Sequence, residues 1–129
     1  MTAFRLIVGR KTDMATSAEV LALAMRIADR AWALGLTVSS FYASHAPQSA
    51  SRYLTVRDAR GQQWDMRVSN HRRPRTNSHA APHFDLVSLD GHSGFKQVAE
   101  WLERVALGKV EWQPARPNGR RRKARRRRR

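Results

Sequence analysis

The 129-residue chain carries 25 lysine and arginine residues against 10 acidic ones, contains no cysteine, and has a formal net charge of +15. The lack of cysteine excludes disulfides, thiolate zinc sites and cysteine nucleophiles. The longest apolar candidate is broken by Glu19, Arg26, Asp29 and Arg30, short of the roughly 18 residues that suggest a membrane span, and MTAFRLIVGRKTD has too short an apolar run for a secretory h-region, so the expectation is one soluble, cytoplasmic domain with a modest core and no membrane partner.

In chain order, Phe4, Leu6 and Val8 alternate with Arg5 and Ile7 and predict a first strand. Thr16 and Glu19 have capping-box spacing. Val20, Leu23, Ala24, Ile27, Ala31 and Leu34 then recur at helical spacing, and Gly35 followed by Leu36 gives a stop signal. These features predict a helix over 17–34. Leu36 to Ala43 is β-branched and aromatic and predicts a strand, but its two faces are equally polar and neither stands out as the inner one. His45 to Ala50 reads as a loop.

The stretch RYLTVRDARGQQWDMRVS holds two alternating runs around Ala59-Arg60-Gly61. A three-residue hairpin loop with glycine last pairs Asp58 with Gln62. It then sets Val56 opposite Trp64 and Leu54 opposite Met66 on one face. The other face receives Tyr53 opposite Arg67, Thr55 opposite Asp65 and Arg57 opposite Gln63. A two-residue loop would instead oppose Val56 to Gln63 and Leu54 to Asp65, so turn chemistry and burial pattern choose the same register. Asn70 to His83 is a long polar connection with two prolines, a length that marks functional or disordered loops. Phe84 to Leu89 predicts the last strand. Ser93 is the expected cap of a second helix, with Phe95, Val98, Leu102 and Val105 on one face and Gly108 at its end. Trp32 and Trp64 are expected in the core, Trp101 at the margin of its helical stripe, and Trp112 packed down ahead of the tail.

The order β-α-β-β-β-β-α predicts an α+β domain over 1–113: an antiparallel sheet of four to five strands with two helices packed on one face. The other face is expected to stay wet and to carry Tyr53, Arg57 and Arg67. Residues 114–129 hold ten lysines and arginines and no acid, leaving 15 basic and all ten acidic residues to the rest of the chain. Only Ala115 and Ala124 are apolar there, which predicts a disordered, arginine-rich tail.

Arginine supplies 21 of the 25 basic residues; codon bias in a GC-rich genome would favour it in the body, but the density of the tail points to polyanions. A planar guanidinium can hold two phosphate oxygens, and each contacted phosphate releases counterions. The expected partner is therefore a nucleic acid, RNA or DNA, contacted by Arg120, Arg121, Arg122, Lys123, Arg125, Arg126, Arg127, Arg128 and Arg129. Arg72, Arg73 and Arg75 form a second basic cluster in the 70–83 connection. Beside Arg57, Arg67 and Tyr53 they would complete one surface on which the tyrosine stacks a base, although an exposed Tyr among alternating charges is also ordinary outward-facing strand sequence.

His71, His79 and His83, with Asp85 beyond, have nitrogen and oxygen donors suited to zinc or manganese. Pro82 precludes a regular helix across His79 and His83, so no metal and no cofactor is expected. Ser39, Ser40 and the histidines form no nucleophile elbow. Asp65 and Asp85 could face each other across a sheet, leaving a metal-dependent nuclease as the residual enzymatic reading against a non-enzymatic binding protein.

Two resemblances bear on these readings. With the first strand and the 36–43 strand set aside, the order α-β-β-β-α is that of the double-stranded-RNA-binding domain. HSGFKQVAE offers only Lys96 where that family has a lysine cluster, and DARG stands in place of its Gly-Pro-x-His loop, so no site residue carries over. The hairpin SRYLTVRDARGQQWDMRVSNH resembles one in small bacterial and phage proteins of unassigned activity, with a similar polar loop and short helix following, over about Ser51 to Leu107. That likeness implies a bacterial or mobile-element setting and, as an alternative function, a module that binds and modulates a host protein. Oligomeric state is not set by the sequence.

Overall fold

In the computed structural model, which describes residues 4–10, 14–44, 49–71 and 82–114, the elements run β1 (Phe4–Val8), α1 (Ser17–Ala33), β2 (Thr37–Ala43), β3 (Arg52–Arg57), β4 (Gln63–Ser69), β5 (Phe84–Ser88) and α2 (Phe95–Ala106). The five strands form one sheet in the order β1-β5-β4-β3-β2. The α+β class is as expected, but the sheet is mixed rather than antiparallel. β5 inserts between β1 and β4 and runs parallel to both, while β3 is antiparallel to β4 and β2. An antiparallel sheet requires the chain to reverse direction between β4 and β5, and here the two adjacent strands run the same way. The connection between them instead returns the chain to the same end of the sheet.

Local signals act where the sequence places them. Thr16 Oγ1 accepts from the Glu19 amide and Glu19 Oε1 accepts from the Thr16 amide, at 3.1 and 2.8 Å, so two amides of the first turn of α1 are satisfied reciprocally. The helix closes with Leu36 N donating to Ala31 O and Gly35 N to Trp32 O, the paired bonds of a Schellman motif. Asp58 N donates to Gln62 O and Gly61 N to Asp58 O. Gly61 has φ of +82°, a conformation a side chain disfavours, and the β3–β4 register is the one the hairpin pattern predicts at every pair.

That register puts Leu54, Val56, Trp64 and Met66 on one face. They join Val68, Phe84 and Leu86 with Val20, Leu23, Ile27 and Ala31 of α1 and Val98, Trp101, Leu102 and Val105 of α2 in one buried cluster. Trp101 packs edge-on to Trp64 and tilted against Phe84, at centroid distances of 5.7 and 5.0 Å. Gly94 lies so close to the strands that an added Cβ would meet Leu6 and Leu86 at 2.8 Å. Trp64 and Trp101 are buried, but Trp32 is 56% exposed, against expectation. Ala31 takes the core position, and the next residue on a helix is turned about 100° away.

β2 contains a bulge: Val38 pairs with Val56, but Ser40 pairs with Thr55, leaving Ser39 as an extra residue. Since strand side chains alternate with period two, one extra residue exchanges faces. Val38 shares the core face with Val56, while beyond the bulge it is Phe41 that sits on Leu54 and Tyr42 that sits on Tyr53. The strand's two faces look alike in sequence because it changes sides part-way along.

Candidate nucleic-acid interface

On the second face of the sheet the registers align one row across all five strands: Arg5, Asp85, Arg67, Tyr53 and Tyr42. Arg67 Nε and Nη2 donate to the two Asp85 carboxylate oxygens at 2.8 and 2.9 Å, and Arg5 Nε approaches the same carboxylate at 3.6 Å. Tyr53 and Tyr42 stack at 5.2 Å. This corrects the expected wet face at Arg67, while Arg57 is exposed and Tyr53 half-buried. Arg67 is only 2% exposed, and its guanidinium is engaged by a carboxylate that strand β5 delivers directly opposite. Asp85 therefore faces Arg67 and not Asp65; Asp65 instead accepts from the Thr55 hydroxyl at 3.2 Å. Ser69 and Val87, on the same face, are also buried.

Next to this row, Ser51 and Ser69 share a hydrogen bond of 2.8 Å, and His71 Nε2 lies 3.4 Å from Ser51 Oγ. His83 is buried. Its Nδ1 accepts from the Asp65 amide at 3.1 Å, and its Nε2 lies 2.6 Å from the carbonyl oxygen of Gln113, to which it donates. With both nitrogens bound to backbone, the ring is a structural bridge, tilted against Trp64 and Trp112. Among the described residues no group of three or more His, Cys, Asp or Glu side chains is placed to hold a metal ion. His79 lies outside the described residues.

Of the cations expected to contact phosphate, the described residues include Arg57 and Arg67, and these do not share an open surface, because Arg67 is buried against Asp85. Arg57 is exposed at the end of β3, its Nη2 at 3.4 Å from Gln63 Oε1. Arg72, Arg73, Arg75 and the tail residues Arg120 to Arg129 lie outside the described residues. Sequence reasoning missed Tyr42, because its face depends on the bulge, and it also missed Arg60 and Lys109. Arg60 stands in the hairpin loop, and an added Cβ on Gly108 would lie 3.5 Å from its Nη2, which brings it to the end of α2, where Lys109 follows Gly108 in the chain. Asp58, the acid of that loop, is turned inward: its carboxylate accepts from Arg60 N, Gln62 N and Trp64 Nε1 at 2.9, 2.9 and 3.1 Å. Burial pushes this carboxyl up, but the bonds from Trp64, Gln62 and Arg60 together with the Arg60 charge outweigh it and hold it below its ordinary value.

No protein-family model, curated protein or solved structure matches the chain. None of the helices in the described residues is long and apolar enough to cross a membrane.

Proposed function

We propose that the protein is a non-enzymatic nucleic-acid-binding protein whose body, with α1 and α2 on one face of the sheet, carries a polycationic segment. The shared core of both helices with Leu54, Trp64, Met66 and Phe84 supports that arrangement. The observation that carries the function is the charge division: residues 114–129 hold ten of the 25 basic residues and none of the ten acids. Such a density of fixed positive charge binds a phosphate polymer by displacing condensed counterions, with an affinity that falls steeply as salt rises. Removing residues 114–129 and titrating labelled single-stranded DNA, duplex DNA and RNA across a salt series tests it. The melting curve of the shortened chain verifies that the body stays folded. Loss of most of the affinity and of the salt slope is expected; unchanged values for all three polymers would refute the reading.

A second reading, a module that binds a host protein, draws on the outer side of α1, where Met25 and Trp32 are 54% and 56% exposed and stand two helical turns apart. Affinity capture after nuclease digestion separates the two. A stoichiometric protein retained by the wild type and lost with Trp32→Ala favours the second reading, and partners that vanish with the nuclease favour the first.

A further inference from the structure

The segment after α2 is anchored to the sheet. Lys109 N donates to Arg104 O at 2.8 Å, Trp112 Nε1 donates to Gln63 O at 2.8 Å, and Gln113 O accepts from His83 Nε2 at 2.6 Å. Val110 and Trp112 pack against the core. The chain thus passes from the hairpin loop, where Gly108 lies beside Arg60, along the start of β4 to the start of β5. Gln63, which receives the Trp112 bond, is the register partner of Arg57.

We propose that Arg57, Arg60 and Lys109 at the hairpin end of the sheet are the body's phosphate-contacting surface. This deepens the nucleic-acid reading and rests on it. All three side chains are exposed. The acid nearest to them in the loop, Asp58, has its carboxylate turned into the hairpin amides, and the exposed acid on the anchored segment is Glu111. Arg116 follows Gln113 by three residues, a reach of roughly 10 Å at full extension. A polymer held by the first cations of the polycationic segment is therefore presented to the hairpin end at high effective concentration, and the two sets of contacts reinforce each other through the short tether. The buried, carboxylate-bound Arg67 contributes nothing to this surface.

The test uses the full chain and short fluorescein-labelled single-stranded DNA, duplex DNA and RNA. Arg57→Ala, Arg60→Ala and Lys109→Ala are combined, and a charge-matched control combines Arg10→Ala, Arg26→Ala and Lys96→Ala. A third variant replaces Arg125 to Arg129 by glutamine. The hairpin-end triple is expected to weaken binding about tenfold and to lower the salt slope by about two to three, one contact per cation; the control should leave the slope nearly unchanged. Glu111→Gln should tighten binding. Equal losses in triple and control overturn the proposal, because net charge alone would then explain them. A triple that binds like wild type while the glutamine variant is weakened overturns the proposal and leaves the nucleic-acid reading standing. If the glutamine variant also binds like wild type, both fall.

Discussion

Arg67 and Asp85 lie directly opposite each other on adjacent parallel strands, and the guanidinium grips both carboxylate oxygens at 2.8 and 2.9 Å. A bidentate pair of this kind is strong in geometry, yet removing one member strands a desolvated charge. We expect Arg67→Met to destabilise the fold by about 3–5 kcal/mol. The combination Arg67→Met with Asp85→Leu should recover most of that loss, since Arg5 retains access to water at 35% side-chain exposure. Urea unfolding of the two variants and wild type checks both statements; a double variant as unstable as the single would show that the pair contributes net stability.

Asp58 organises the hairpin loop through three hydrogen bonds. Its carboxyl is held below the ordinary value in the folded protein, so its contribution is complete above the unfolded-state pKa of about 3.9 and is lost as pH falls through the lower folded value. Asp58→Ala should cost about 2–3 kcal/mol at neutral pH, in the range for charge-assisted bonds. The gap between variant and wild type should close in acid, below the folded value. Melting curves at neutral pH and along an acid series measure it, and a pH-independent gap would contradict the linkage.

Gly9 ends β1 with φ of +90°, and an added Cβ would fall 1.9 Å from Asp90 Oδ1. Asp90 cannot swing away without cost, because its carboxylate accepts from Arg10 N and His92 N at 3.1 and 3.2 Å. Gly9→Ala should therefore destabilise by about 1–3 kcal/mol from backbone strain and displacement of that carboxylate. Gly61→Ala shares only the positive φ, with nothing within 4 Å of its Cβ, and should cost less. Chemical denaturation of the two variants compares them directly.

What could be read in advance divides by range. The cap of α1 and the hairpin register depend on residues a few positions apart, and Thr16, Glu19, Asp58 and Gly61 specify them without reference to the rest of the chain. The placement of β5 depends on partners on both sides, Phe4 and Met66 with Phe84, and the polar connection from Asn70 to His83 carries no pattern that distinguishes a return from a turn-back. Arg67 looked like an outward-facing cation because alternation assigns a face and says nothing of what a neighbouring strand brings to that face. The bulge at Ser39 hid Tyr42 in the same way. His83 resembled a ligand by residue type, and only its two backbone partners reveal it as a bridge. Arg60 and Lys109 carry no such signal in sequence, because Gly108 meets Arg60 only through the tertiary packing of the segment after α2.

The position of β1 sets an order of assembly. The antiparallel trio β2, β3 and β4 can zip up from neighbouring sequence, whereas β1 touches the sheet through β5 alone, and Phe4 must wait for Phe84 to emerge before its ring has anything to stack on. On a translating ribosome, β1 stays without its hydrogen-bonding neighbour until residues 84–88 have been made, and closing that distant pairing is the entropically slow part of folding.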